Sequence, residues 1–239
     1  MNGSRTEILG RIRRALASPP LEHHHGHQAE ITEIRKLFAS DYEVSSTVER
    51  FKAEFSRVSG EAAVCAEPES VIDTIKDLIQ SSNFQTVAIS GHALCRRLGL
   101  EQKLKAELPQ IHFVNETLDS ESSVERRQLR ERLSHVDLSI TGTEYLIADI
   151  GTIVTIANPQ ASREISLLPT AHLVLATPDQ IYPNMAELFR SIHEEHGDTL
   201  PGSALTLITG PSRTADIEKV LIKGVHGPTR LLAIILDER

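Results

Sequence analysis

Glu144 and Asp149 are two carboxylates separated by one short apolar run, Tyr145-Leu146-Ile147-Ala148. Acids that share a site can act as general base or nucleophile, whereas isolated carboxylates at turns commonly cap backbone N–H groups. Both readings are open for this pair. Arg163 is read within the loop Asn158-Pro159-Gln160-Ala161-Ser162, where a guanidinium could pair with a carboxylate or phosphate. A third set lies toward the C-terminus. Gly210, Ser212, Arg213 and Thr214 follow the alternating run Leu205-Thr206-Leu207-Ile208-Thr209 and lead into a short helical pattern. A strand, a tight polar turn and a helix start would aim backbone N–H groups at an anion, with Arg213 alongside as a charged donor. His226 stands between Gly224, Gly227 and Pro228, and such glycines permit close backbone approaches. A purely structural turn is the alternative for this segment.

Other histidines carry less. His193 and His196 close a predicted helix, a position that the helix dipole favours for histidine, and no third metal ligand accompanies them. His23, His24, His25 and His27 fall in a polar linker after Ser18-Pro19-Pro20, with nothing nearby to fix a metal's geometry. No metal site is assigned. His172, just before a predicted strand, reads as a satisfied, partly buried histidine. There is no G-x-G-x-x-G after a strand and no G-K-[ST] after a glycine-rich loop, so dinucleotide and P-loop chemistry lack support. Gly210-Pro211-Ser212-Arg213-Thr214 lacks the second glycine of a nucleophile elbow, which makes Ser212 a cap or ligand contact.

The elements that must position these residues follow from periodicity. Ile8, Leu9, Ile12 and Leu16 form one helical stripe behind the capping box Ser4-Arg5-Thr6-Glu7. Helical spacing recurs at Ile31, Ile34 and Phe38, and again at Val48, Phe51, Phe55 and Val58. From Glu61 the pattern changes to strands alternating with helices. Strands are predicted at 62–65, 86–90, 111–114, 173–177, 205–209 and 231–236, with helices from Pro68, from Gly91-His92 to Leu98, over 123–133 and from Pro183-Asn184. That alternation argues for parallel strands with crossover helices. The runs 145–148 and 153–156 flank the turn-like spacer Asp149 to Thr152 and read as an antiparallel hairpin. The expectation is a helical arm over residues 1–60 and an α/β core over 61–239, its sheet mostly parallel with one antiparallel insertion.

A net charge of −8 argues against a general affinity for nucleic acid or anionic membranes. No apolar run approaches the roughly 18 residues of a membrane span, and the basic N-terminal stretch lacks the apolar core of a secretory signal. The two cysteines, Cys65 and Cys95, are too few for a conventional iron–sulfur cluster and suggest no disulfide framework. A cytoplasmic chain is expected.

The stretch Gly210-Pro211-Ser212-Arg213-Thr214-Ala215-Asp216-Ile217-Glu218, followed by Gly224-Val225-His226-Gly227-Pro228, resembles the closing signature of the lactate utilization protein C family, built on the LUD domain. Thr141 to Thr152 resembles that family's acidic turn, although Ile150 stands where a threonine is usual. The first helix, Ile8 to Arg13, extends the likeness over most of the chain. The resemblance implies the fold of ribose-phosphate isomerases and coenzyme A transferases, and it adds Gly151 and Thr152 to the candidate ligand contacts. It also implies an accessory subunit that works with iron–sulfur partner proteins in oxidising L-lactate to pyruvate, the clusters residing in the partners. Two alternatives remain open: a stand-alone enzyme on a phosphorylated sugar or acyl thioester, and a non-catalytic scaffold.

Overall fold

The computed structural model describes residues 8–11, 13, 44–115, 123–157, 162–197, 199, 201–217, 220–223 and 227–238. The chain divides into two compact units, residues 1–39 and 40–239. In the first unit the described residues are helical, as the stripe at Ile8 and Leu9 predicts. The histidines at 23–27 and the helix expected around Ile31 lie outside the described residues.

In the second unit, helix α1 (Val44–Arg57) opens the chain. Val48, Phe51 and Phe55 recur at helical spacing and are buried, the two rings stacked 5.1 Å apart. This helix belongs with the α/β core, so the division falls after residue 39 rather than at residue 60. Alternation then builds a six-stranded sheet from β1 (Glu61–Cys65), β2 (Thr86–Ile89), β3 (His112–Asn115), β4 (Leu138–Gly142), β7 (Ala171–Ala176) and β12 (Arg230–Leu236). Their order is β1-β12-β7-β4-β2-β3, and every neighbouring pair is parallel. The mostly parallel α/β reading of the sequence holds.

Crossover helices explain the near-continuous apolar runs of the central strands, because both faces are covered. Leu173, Leu175, Leu232 and Ile234 face α2 (Pro68–Ser81), α3 (Ala93–Arg97) and α4 (Leu100–Glu107). The alternate residues Val174, Ala176, Leu231, Ala233 and Ile235 face α1. Further along that sheet, Ala88 packs with Leu129 and Leu133 of α5 (Ser123–Ser134).

The predicted hairpin is present as β5 (Tyr145–Ile147) and β6 (Thr152–Ala157), joined by a 3₁₀ turn over Ala148–Ile150. It is the centre of a second sheet, β8-β5-β6-β9, completed by β8 (Ile181–Tyr182) and β9 (Ala204–Ile208). Helix α7 (Met185–His196), capped by the Asn184 side chain, covers that sheet with Leu188 and Ile192. Met185 and Phe189 of the same helix are 38% and 41% exposed.

Two local expectations fail. Arg213 does not start a helix: β10 (Arg213–Ile217) pairs antiparallel with β11 (Val220–Lys223), with an irregular register between Thr214 and Ile217. Thr214 and Ile217 are β-branched residues, which fit a strand at least as well as a helix. Arg163 is not in a loop but opens a short helix, α6 (Arg163–Leu167).

Candidate functional site

The parallel sheet reverses its direction of growth between β2 and β4. From β2 the chain runs outward to β3; from β4 it continues to β7 and β12 on the other side. In open α/β sheets, ligands bind outside the carboxyl ends of the strands at such a switch point. A pocket of about 320 Å³, counting the space open to solvent, lies there. His92 beyond β2, Thr141 and Gly142 at the end of β4, Glu144, Thr155 to Ala157 of β6 and Arg163 all contribute to its wall.

Each side chain is held for a definite reason. The Glu144 carboxylate accepts a hydrogen bond from the Ile156 N–H at 2.8 Å. Its backbone is pinned from both sides: the Thr143 hydroxyl donates to the Val154 carbonyl at 2.6 Å, and the Gln180 amide donates to the Thr143 carbonyl. Burial raises the Glu144 pKa above the usual carboxylate value, outweighing the bond from Ile156. The group is therefore a stronger proton acceptor than an exposed glutamate.

His92 caps α3, its Nδ1 accepting from the Leu94 N–H at 3.2 Å. An accepting Nδ1 leaves the ring proton on Nε2. Desolvation lowers the His92 pKa, and the charge of Arg96 adds to the effect, so the ring is neutral at pH 7. Gly142 makes room for that ring: a Cβ there would stand 1.8 Å from His92 Nδ1. Arg163 begins α6 with its side chain exposed, and its carbonyl accepts from the Ser166 hydroxyl at 3.0 Å. The wall thus offers one cation, one neutral imidazole N–H, hydroxyls and one carboxylate of raised pKa. That set suits a small acid carrying a second oxygen.

The family model for the LUD domain matches residues 48–236. The chain belongs to the LUD domain family. Lactate utilization protein C of Halalkalibacterium halodurans is 36% identical over 117 residues, which are 48% of this chain and 50% of that protein. The protein of that name from Anoxybacillus flavithermus is 29% identical over 167 residues, 70% of each chain. That from a Geobacillus species is 28% identical over 205 residues, 83% of this chain and 81% of the relative. The alignment thus spans half the length of the first and more of the other two. A crystal structure of a DUF162 family protein from Deinococcus radiodurans shares the fold, with a TM-score of 0.56 at 18% identity over 82% of this chain and 99% of that one.

Within this LUD domain the sequence-derived candidates separate into groups. Glu144 and Arg163 share the pocket. Asp149 does not join them, because it sits in the 3₁₀ turn at the other end of β5, beyond three strand residues and about 10 Å of extended chain. There its N–H donates to the Pro183 carbonyl, and burial raises its pKa against the pull of Arg50. The expected carboxylate pair is therefore split by the length of one strand. Gly151 has φ +55°, and a Cβ on it would lie 2.3 Å from the Phe55 backbone nitrogen. Thr152 is fully buried and bonds Thr209 hydroxyl to hydroxyl at 2.7 Å. Gly210, at φ +86°, similarly crowds the Val58 carbonyl, at 2.4 Å. Gly151 and Gly210 seat the second sheet against the end of α1, Thr152 ties β6 to Thr209, and none of the three lines the pocket.

Ser212 donates its N–H to the Pro228 carbonyl at 2.8 Å, which ties together the two ends of the closing segment. Arg213 and Thr214 lie in β10, and His226 lies outside the described residues. Among the described residues no helix start supports the predicted anion site there. Among the described residues no group of three metal-ligating side chains forms, and His193 Nδ1 instead meets the Gly197 carbonyl at 3.2 Å. His92, Thr141, Gly142 and Thr155 were missed by motif reasoning. For His92 a signal existed: it directly follows a predicted parallel strand, where such folds place ligands.

Proposed function

We propose that this chain serves L-lactate utilization as an accessory subunit, working with iron–sulfur partner proteins that oxidise L-lactate to pyruvate. The observation that carries this reading is the joint placement of Glu144 and Arg163 around one small pocket at the switch point. The names of the relatives support it. Oxidising a 2-hydroxy acid to a 2-oxo acid removes two electrons and two protons. Arg163 would grip the substrate carboxylate, and Glu144 would accept the hydroxyl proton, a task its raised pKa suits. The carbon-bound hydrogen leaves as the second proton, released to solvent, and the two electrons pass one at a time to iron–sulfur clusters of the partners, because two cysteines cannot hold a conventional cluster here. Both thiols are also buried.

The reading places the chain in the cytoplasm, where free thiols persist. Among the described residues no helix is long and apolar enough to cross a membrane. The test is reconstitution. The purified chain should not oxidise L-lactate alone, and adding iron–sulfur partner proteins should produce turnover. Arg163→Ala should then raise the KM for L-lactate about tenfold or more, the loss of one charge-assisted contact. Turnover by the isolated chain, or an unchanged KM, would overturn the proposal.

A further inference from the structure

Beneath the pocket lies a polar stripe that a parallel-sheet core would normally exclude. Ser139 and Thr141 of β4 and His172 of β7 are 0%, 3% and 0% exposed. They occupy the sheet face opposite Leu138, Ile140 and Leu173, so the alternation of β4 is apolar on one side and polar on the other. His172 Nε2 lies 2.9 Å from the Thr141 hydroxyl oxygen. Its Nδ1 is buried and has no hydrogen-bond partner among the described residues. The expected partly buried histidine is thus wholly buried and bonded through a single nitrogen to a residue of the pocket wall.

The tautomer follows from which nitrogen can be left alone. A proton on Nδ1 would bury an unpaired N–H donor, which folded proteins almost never do; an unpaired acceptor is the lesser cost. The proton therefore sits on Nε2 and is donated to Thr141. Burial keeps the ring neutral, its pKa pushed down to about 3, so this arrangement persists across the physiological range. With its oxygen already accepting from His172, the Thr141 hydroxyl has its own hydrogen free to donate.

We propose that His172 is a positioning residue that occupies one acceptor lone pair of Thr141 and turns its hydroxyl hydrogen toward the pocket, favouring ligands that present an acceptor oxygen, a carboxylate or 2-oxo group. The proposal rests on the reading of this pocket as the site of a small acid. Together with the Nε2–H of His92, Thr141 would meet oxygens that Arg163 alone does not cover, leaving Glu144 as the acceptor for a hydroxyl.

The test uses the full chain with 15N-labelled histidine. The His172 signals, identified by their loss in His172→Gln, should show a protonated Nε2 and a bare Nδ1, unchanged between pH 5 and pH 8. A proton on Nδ1, or a titrating ring, would overturn the positioning role without any reference to ligand. Binding is then measured with pyruvate as the probe. Thr141→Val should weaken it at least tenfold, and His172→Leu should do the same. His172→Gln, whose amide N–H reaches where Nε2–H does, should restore affinity to within about threefold of the parent. Equal binding by parent and Thr141→Val would overturn the selectivity. The expected tautomer in a chain that binds no pyruvate would instead overturn the small-acid reading of the pocket. If His172→Leu does not fold, the tautomer and Thr141→Val still decide.

Discussion

Glu144 shows how one residue's surroundings can be read as both a stability effect and a function. Its folded pKa stands above the unfolded value because burial disfavours the charge. As pH rises through the interval between the two values, the unfolded chain releases its proton first, so ionising Glu144 lowers stability. Glu144→Gln keeps an oxygen for the Ile156 N–H and removes that cost. Its Tm should exceed the parent's at pH 7, and the gain should vanish as pH falls to about 4, near the free carboxyl pKa. The same substitution should abolish lactate turnover in the reconstituted complex. Asp149→Asn, at the far end of the hairpin, should leave pyruvate binding within about twofold. A turnover defect as large as that of Glu144→Gln would return Asp149 to the site.

Gly142 offers a second test at this scale. An added methyl must displace the His92 ring, and with it the cap on α3. Gly142→Ala should cost about 1–3 kcal/mol in urea unfolding, in line with overpacking and a lost cap. It should also close the pocket to small acids. Retained binding with unchanged stability would show that the ring can move freely.

At the scale of elements, the site depends on β2 and β4 keeping their register. Asp137, at the start of β4, accepts from the N–H of Gln85 at 2.8 Å and from the N–H and hydroxyl of Thr86 at 2.9 and 2.8 Å. Burial pushes the Asp137 carboxyl up, but these three bonds outweigh it and hold its pKa below the usual value. The sign is opposite to that of Glu144. Stability from Asp137 is present above the unfolded pKa, near 4, and is lost as pH falls through the lower folded value. Asp137→Ala should therefore destabilise by about 1–2 kcal/mol at pH 7, a figure discounted for its partial exposure, and by little at pH 2. A pH-independent loss would mean that packing, not the carboxylate, sets the effect. The hairpin that carries Glu144 is braced elsewhere, by Gly151 against the backbone of α1.

For the whole molecule, the two-unit division and the family match starting at residue 48 both place the folding unit after the first helix. A fragment of residues 40–239 should unfold cooperatively, with a Tm within about 5 °C of the full chain. A fragment that begins at residue 61 removes Phe51 and Phe55, both fully buried. Each deletion of such a ring costs about 3–5 kcal/mol, comparable to the stability of a typical domain. The shorter fragment should not fold, and a native-like melt from it would restore the boundary at residue 60.

What the sequence by itself determined was the set of elements whose burial is periodic. The run Leu231 to Leu236, the helix from Pro68 and the hairpin around Asp149 to Thr152 each bury residues at one regular spacing, so local pattern and final structure agree. Strand β4 escaped because Leu138-Ser139-Ile140-Thr141-Gly142 is only half apolar, its polar face being satisfied by His172 on a neighbouring strand. The segment from Arg213 was misread because β-branched residues in a short polar stretch fit helix or strand about equally, and only pairing with Val220–Lys223 decides. Glu144 and Arg163 were legible as chemistry but not as neighbours. Their meeting with His92 requires three separate chain segments to converge where the sheet reverses its direction of growth, a long-range arrangement that no local spacing encodes. The same convergence leaves Asp149 at the wrong end of a strand, and only the tertiary structure could tell the two acids apart.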